Sequence, residues 1–433
     1  MFDNITNFIF NNTPLFYLTQ SIWRDEGFSY FMARGSVISI ILNSIHDFNP
    51  PLYYILLHFW MMIFGESDIA LRMMSFLFYV ILVYYAFLLA QKIFSEKFAF
   101  FVAAFTFLNP TLIYYAFEIR MYSLFALFTM ASMYYFVEKR WRAFTIVAVL
   151  GLYTHSFFSF VIVSYVFYLW LTKQLNKKLL IKTLKPFLFF LPWIPVLLYQ
   201  FMQSANSWIF PVDMQLIKSS LGNLFINYSG TPGGLWVKTA VLSLVILVLV
   251  IFSIYRNRKM GLLFGSLIFV PLAIVLGYSV IRNPIYVNRY IISVTVAEIF
   301  AVSLAIWSIR NKIGRYLAII TALIFVVYVN SYASLRFHRK VDIRSTIMDI
   351  KKLSHKEDRV YAVSPLVYFE SAFYYPDRSK VYIYNPHNIA IPNYIGTSVI
   401  DKSRSISFFP DEPVRTFLVK EDGSFETVIN SER

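Results

Sequence analysis

Long apolar runs alternate with short polar connections through the first 333 residues of the chain. These runs predict helices near residues 69–91, 98–116, 121–137, 143–154, 157–171, 186–200, 235–255, 261–281, 290–308 and 316–333. A helix needs about 20 residues to cross the ~30 Å hydrocarbon core of a bilayer, and most of these runs approach that length. Residues 51–64 are predicted not to cross, because a helix of that length reaches only about 21 Å. Residues 1–22 contain four asparagines and a proline and predict a poor spanning helix.

The last hundred residues follow a different pattern. Apolar residues at helical spacing predict a helix over Asp342–Leu353, and shorter runs predict a strand at 359–363, a helix at 367–375 and a strand at 380–384. Alternation of this kind is typical of a small α/β domain. We therefore expect two domains, a transmembrane domain at 1–333 and an α/β domain at 334–433.

Composition supports a membrane protein and excludes several other classes. The chain is 58% hydrophobic and 19% aromatic, above the usual apolar content of a soluble domain. It has no cysteine, which rules out disulfides and thiolate metal sites. The net charge of +15 resembles a nucleic-acid signal, but 24 basic and 11 acidic residues lie in 1–333. The excess follows the short loops of the membrane part, so nucleic acid is not an expected partner.

The distribution of basic residues predicts the orientation. If residues 51–64 do not cross, the loops on one side hold 16 basic residues, and the opposite loops after the first crossing hold five. The positive-inside rule then makes the basic side cytoplasmic. The loops 21–68 and 201–234 and the domain 334–433 are expected outside. The predicted fold class is a polytopic α-helical membrane protein of about 10–12 spans with a small extracytoplasmic C-terminal α/β domain.

Two acidic clusters are the first candidates for chemistry. Asp25 and Glu26 precede a prolonged apolar region, and Glu118 and Arg120 lie with Tyr122 in a tight connection between two predicted spans. Carboxylates at the mouth of an apolar bundle are costly to desolvate, which favours a functional interpretation. The alternatives are helix-capping acids in a solvated loop for the first cluster and an Arg–Glu pair at helix ends for the second.

Three further positions are candidates on the same side. His155 lies at a turn among aromatic residues, and Arg289 and Tyr290 begin a predicted span. Arginine suits phosphate because its planar guanidinium is permanently charged, although an interfacial arginine can also extend to lipid headgroups. Glu298 lies deeper in the same span, and either a functional acid or a protonated acid bonded to a tyrosine accounts for it.

The order and spacing of these residues resemble the GT-C superfamily of membrane glycosyltransferases. The likeness is to the branch with protein O-mannosyltransferases, the aminoarabinose transferase of lipid A and the Rhizobium core-oligosaccharide transferases. It covers residues 21–160 well and 161–333 mainly by helix layout. The motifs that carry it are Trp23-x-Asp25-Glu26-x-x-Ser29, Asn49-Pro50-Pro51-Leu52-Tyr53-Tyr54, Phe64-Gly65-Glu66-Ser67 with Arg72 and Ser75, Tyr114-Tyr115-x-x-Glu118-x-Arg120-Met121-Tyr122, Thr154-His155 and Arg289-Tyr290.

The resemblance implies transfer of a sugar, with inversion, from a polyprenyl-phosphate donor to a lipid, glycan or protein acceptor at the outer face of the cytoplasmic membrane. It implies that Asp25 is the general base, Glu118 a second active-site acid and Arg289 a ligand of the donor phosphate. The remaining residues expected to bind substrate or donor phosphate are Glu26, Arg120, Tyr122, His155 and Tyr290. The family pattern also has a full spanning helix before the acidic loop, where this sequence has residues 1–22.

Other functions remain open at this point. No cofactor is certain from the sequence; the outer acids could hold a divalent metal ion, although no ligand spacing demands one. A transporter or flippase of anionic lipid-linked substrates would use Arg289 and Glu298. Such a protein needs helix breaks at mid-membrane depth, and few glycines or prolines lie there. A polymerase or ligase of surface polysaccharide with a diphosphate-linked donor is a third reading.

Overall fold

The computed structural model describes residues 8–203, 208–231, 233–392 and 395–430. Contacts divide the chain into two compact units. The first, called the helical unit, comprises Arg72–His338 and the described residues up to Tyr17. The second, called the mixed unit, combines Leu18–Leu71 with Arg339–Arg433. The predicted boundary at residue 333 places residues 18–71 in the transmembrane domain, whereas the contacts group them with the C-terminal part. The boundary at residue 333 stays a prediction.

Membrane-spanning helices account for about a third of the chain. Among the described residues six helical segments are long and apolar enough to cross a bilayer. They are Asp68–Ile93, Lys177–Gln203, Gly233–Arg256, Arg258–Ile281, Asn288–Trp307 and Lys312–Phe337. The chain is therefore a multi-pass membrane protein, as its apolar runs predicted.

The other apolar runs form shorter helices. The run at 98–116 is broken into Glu96–Phe107 and Pro110–Ala116, which are bent by 62° and together could form a seventh span. The break falls at Asn109-Pro110, because proline cannot continue a helix from the preceding turn. Among the described residues four apolar helices have 10–17 residues, and three of them were counted among the predicted spans although they do not reach spanning length by themselves; the fourth, Leu52–Phe64, was predicted not to cross. These helices are Leu52–Phe64, Tyr122–Val137, Trp141–Thr154 and Phe158–Leu171.

The core of the helical unit lies around the helix Ile292–Trp307. Every residue from Ile292 to Ile306 is buried, and the helix contacts Trp236–Arg256 and Arg258–Ile281. The predicted external loop 201–234 contains a further helix, Met214–Ile226, whose N-terminus is capped by Asp213 through the Leu216 N–H at 2.7 Å. Residues 204–207 and 232 of that loop lie outside the described residues.

The mixed unit begins with helices from the N-terminal part of the chain. They are Arg24–Ala33, Val37–Ile45 and Leu52–Phe64. The last of these starts directly after Pro51, a residue whose fixed φ favours the first turn of a helix. The C-terminal part adds the helices Ile343–Leu353 and Pro365–Tyr374.

A five-stranded sheet completes the mixed unit. Its strands are β1 (Arg359–Ala362), β2 (Val381–Tyr384), β3 (Ser405–Ile406), β4 (Arg415–Val419) and β5 (Phe425–Ile429). The order is β3-β2-β1-β4-β5, with β5 antiparallel to β4 and the other pairs parallel. The two predicted helices and two predicted strands of the tail are confirmed within one or two residues, whereas β3, β4 and β5 were not predicted.

Candidate functional site

The connection that carries Glu118 and Arg120 is a buried turn in the helical unit. It joins Pro110–Ala116 to Tyr122–Val137, and both charged side chains are only 7% exposed. The Arg120 N–H donates to the Glu118 carbonyl at 2.8 Å, which closes the turn. Buried charges at a turn need partners or a ligand, which keeps both residues as candidates.

His155 lies in a similar turn, directly after the helix Trp141–Thr154. Its ring stacks on Phe125, with centroids 5.1 Å apart and an interplanar angle of 9°. The Phe157 N–H donates to Nδ1 at 3.2 Å, so the neutral ring carries its proton on Nε2. Burial and the nearby guanidinium groups of Arg120 and Arg289 lower the pKa of His155 to about 3. His155 is thus a neutral hydrogen-bond donor.

Arg289 is held at the start of the span Asn288–Trp307. Its Nε donates to the Tyr122 hydroxyl at 3.0 Å, and the guanidinium lies 5.6 Å from the ring centroid of Tyr290. The turn is fixed by Asn288, whose side-chain amide donates to the Tyr228 carbonyl at 2.6 Å. The arginine is therefore oriented by a phenol and by a buried amide.

These residues form one group, here called the arginine–aromatic cluster: Arg120, Tyr122, His155, Arg289 and Tyr290. The Arg120 guanidinium lies 5.9 Å from the Tyr122 ring centroid. The ring centroid of His155 lies 6.3 Å from that of Tyr122 and 5.4 Å from that of Tyr290. The fold thus brings together five predicted site residues from three separate parts of the sequence. Two guanidinium groups beside phenol and imidazole donors form a donor set suited to phosphate.

Two residues of this region were not predicted as part of the site. The Trp208 ring lies 5.3 Å from the Arg289 guanidinium, a cation–π arrangement. Asn288 orients the turn that carries Arg289, as described above. Asn288 could have been predicted, because it is next to Arg289 in the sequence. Trp208 could not, because its contact with Arg289 depends on the path of a long loop.

Asp25 and Glu26 lie in the mixed unit, in the first turn of the helix Arg24–Ala33, here called the Asp25 helix. Asp25 is half-buried, and its carbonyl accepts from the Ser29 hydroxyl at 3.0 Å. Glu26 is fully buried. Its Oε2 accepts from the Trp23 N–H at 2.8 Å and from Lys340 Nζ at 2.9 Å. Substrate binding by Glu26 stays a prediction, and these contacts of its carboxylate are internal.

A carboxyl group that was not predicted lies beside this turn. Glu370 is 3% exposed, and its Oε1 accepts from the Arg24 N–H at 2.9 Å. Burial raises the pKa of Glu370 to about 8, although Arg24 and Lys340 favour the charged form and Glu26 opposes it. Of the two buried carboxyl groups near Lys340, Glu370 therefore retains its proton near neutral pH.

Glu298 is fully buried within the span Asn288–Trp307. Neither of its carboxyl oxygens has a hydrogen-bond partner among the described residues. The tyrosine partner considered for it is therefore not found in that part of the chain. The same residues contain no group of three or more histidines and acids placed to hold a metal ion.

Comparisons with known proteins agree with this architecture. A family model described as dolichyl-phosphate-mannose-protein mannosyltransferase matches residues 49–199, roughly a third of the chain. The crystal structure of ArnT from Cupriavidus metallidurans in the apo state is 13% identical, with a TM-score of 0.61 over 91% of this chain and 88% of that chain. The same protein bound to undecaprenyl phosphate is 12% identical, with a TM-score of 0.55 over 93% and 89%. Curated protein sequences gave no significant match.

At these identities the structural likeness establishes a shared fold. The family match adds a likeness to mannosyltransferases over residues 49–199. This likeness agrees with the resemblance to the GT-C superfamily that the sequence motifs carry. The family and the fold therefore support transferase chemistry.

Proposed function

We propose that this protein is an inverting glycosyltransferase that moves a sugar from a polyprenyl-phosphate-linked donor to a lipid, glycan or protein acceptor. The arginine–aromatic cluster carries this proposal, because it places two guanidinium groups and neutral donors together in a fold of this class. The undecaprenyl phosphate bound by ArnT gives the chemical class of ligand that the cluster would take.

In this proposal the cluster binds the phosphate of the donor. Arg289 and Arg120 supply fixed positive charge, and the Tyr122 hydroxyl and the His155 Nε2–H act as neutral donors. These interactions strengthen as the lipid phosphate leaves with the electrons of the broken bond. Tyr290 covers the guanidinium of Arg289, and the polyprenyl chain lies along apolar helix surfaces.

Acid–base chemistry is assigned to the two predicted carboxylates. Asp25 accepts the proton of the acceptor hydroxyl. At the same time the hydroxyl oxygen forms a bond to the anomeric carbon, and the bond from that carbon to the phosphate oxygen breaks. Attack opposite the leaving group inverts the configuration at that carbon. Glu118 is assigned as a second acid that orients the acceptor or the sugar.

The location proposed is the outer face of the cytoplasmic membrane. The excess of basic residues in alternate loops supports this orientation through the positive-inside rule. In this proposal Asp25, Glu118 and Arg289 lie on the side away from the basic loops.

The experiment is transfer of labelled sugar in membranes from a panel of undecaprenyl-phosphate-linked sugars. Arg289→Ala is expected to lower kcat/KM by about 10²-fold or more, because it removes a charge from the leaving phosphate. Arg282→Ala is the matched control, since Arg282 is an exposed arginine in the same connection. Equal activity of the two variants contradicts the role of Arg289. Movement of intact lipid-linked sugar across the bilayer without transfer contradicts the enzyme proposal itself.

A further inference from the structure

The segment that leads into the Asp25 helix is held by side chains from far along the chain. Residues 20–26 of the mixed unit make hydrogen bonds to four side chains between residues 340 and 374. These side chains are Lys340, Arg344, Glu370 and Tyr374. Asp25 is therefore bounded on its N-terminal side by a segment whose path is set by the C-terminal part of the chain.

Two of these contacts satisfy backbone donors at the helix start and just before it. The Arg24 N–H donates to Glu370 Oε1 at 2.9 Å, and the Ile22 N–H donates to the Tyr374 hydroxyl at 2.7 Å. Arg24 is the first residue of the helix and its N–H has no partner within it, so the side chain that accepts from it helps to determine where the helix begins. The contact of Ile22 holds the segment two residues before that start. Both acceptors come from the helix Pro365–Tyr374, here called the Glu370 helix.

Lys340 fixes the same turn from its other side. Its backbone N–H donates to Gln20 Oε1 at 2.7 Å, and its Nζ donates to Glu26 Oε2 at 2.9 Å. Glu26 in turn accepts from the Trp23 N–H, so the ion pair and the backbone turn share one carboxylate. Since both side chains are at most 5% exposed, this pair is shielded from water and salt.

The two helices also approach closely. A Cβ atom on Gly27 would lie 2.9 Å from the Cβ of Phe369, closer than such atoms come in proteins. A glycine is therefore required for this separation, and the Asp25 helix has little room to shift along the Glu370 helix.

We propose that Glu370, with Lys340 and Tyr374, is a positioning residue that sets the location of the Asp25 carboxylate. The inference rests on the proposed role of Asp25 as general base. In this proposal, side chains from the C-terminal part of the chain hold the turn at the start of the Asp25 helix in place. A carboxylate misplaced by about 1 Å can cost about 10²-fold in rate, so these contacts affect turnover without touching the substrate.

The test compares three substitutions in the full-length protein. Glu370→Leu removes the acceptor for the Arg24 N–H, Glu370→Gln retains an oxygen that can accept it, and Tyr374→Phe removes only the hydroxyl. We expect Glu370→Leu to lower kcat about 10²-fold. Donor KM and the Kd of undecaprenyl phosphate should change by less than about threefold, because the phosphate ligands are elsewhere in the sequence. Glu370→Gln should recover most of kcat.

A matched control is Asp349→Asn. It breaks an exposed ion pair with Lys352 within the helix Ile343–Leu353, and it should leave kcat unchanged. If Glu370→Leu does not fold, Tyr374→Phe decides, with an expected loss of about tenfold in kcat at unchanged undecaprenyl phosphate Kd. Wild-type kcat in Glu370→Leu, or in Tyr374→Phe when that variant decides, overturns the positioning role. So does a loss that Glu370→Gln fails to recover.

The outcome for Asp25→Asn separates this inference from the proposed function. If Asp25→Asn is inactive while Glu370→Leu is fully active, the positioning role fails and the function stands. If Asp25→Asn transfers sugar at the wild-type rate, Asp25 is not the base and the positioning role falls with it, whereas sugar transfer by the protein stands. The proposed function itself fails only if the wild type transfers sugar from no donor.

Discussion

The ion pair between Lys340 and Glu26 gives the sharpest prediction on stability. Lys340→Met removes one partner of a pair whose N–O distance is 2.9 Å and whose side chains are 5% and 0% exposed. At an effective dielectric constant of 20, Coulomb's law gives an attraction of roughly 6 kcal/mol at this distance. Loss of one partner leaves a buried carboxylate with less compensation, at a net cost of about 3–5 kcal/mol.

The exposed pair of Lys352 and Asp349 is the control that distinguishes the effect of burial on stability from the effect of the N–O distance. Its N–O distance is 2.8 Å, but its side chains are 74% and 59% exposed. Lys352→Met should therefore cost under about 1 kcal/mol. The double variant Glu26→Gln with Lys340→Met should cost less than Lys340→Met alone, because it leaves no unpaired charge.

The assay is thermal unfolding in detergent, followed by intrinsic tryptophan fluorescence. For a unit of this size, 3–5 kcal/mol lowers Tm by about 10 °C. A Tm for Lys340→Met equal to that of Lys352→Met would refute the reasoning. Additive losses would refute it as well: if the double variant is less stable than Lys340→Met by the amount that Glu26→Gln costs alone, the two side chains are not coupled.

Three further predictions follow from buried titratable groups. The folded-state pKa of Glu370 is about 8, so the folded protein retains a proton that the unfolded chain has released. Stability measured relative to Glu370→Gln should therefore fall between about pH 5 and pH 8, by at most about 1.4 kcal/mol per unit, and then level off. His155 is neutral above about pH 5, so His155→Phe should lower transfer without removing a step from the pH–rate profile near 6–7. A step that disappears in this variant contradicts the neutral state. Glu298→Met should unfold at a Tm no lower than the wild type, because it removes an unpaired buried carboxyl group; a loss of several degrees points to a partner.

Local patterns in the sequence predicted most of the apolar helices, the two helices of the tail and two strands, because periodicity and composition act over a few residues. The helices Arg24–Ala33 and Val37–Ile45 were not predicted. Asp342–Leu353 was predicted from isoleucines at helical spacing, and the structure begins that helix one residue later. The strands β3, β4 and β5 were missed because they are short and are stabilised by pairing with distant strands. Spans were counted too generously where an apolar run was too short to cross alone, as in Trp141–Thr154.

The candidate site was predictable in part. Arg120, Tyr122, His155 and Arg289 were expected together, and contacts within the helical unit bring them together. Glu370 was not predicted, since its contact with Arg24 spans 346 positions. The internal pairing of Glu26 was missed for the same reason, because Lys340 lies 314 residues away. Neither separation leaves a signal in local sequence.

The central claim is that Asp25 takes the proton of an acceptor hydroxyl during sugar transfer. The most direct test compares wild type with Asp25→Asn in reconstituted membranes, measuring release of undecaprenyl phosphate from the labelled donor that the wild type uses. The account predicts a loss of at least about 10²-fold in kcat, with undecaprenyl phosphate still bound normally and with an unchanged unfolding temperature. Release by Asp25→Asn at the wild-type rate would contradict it.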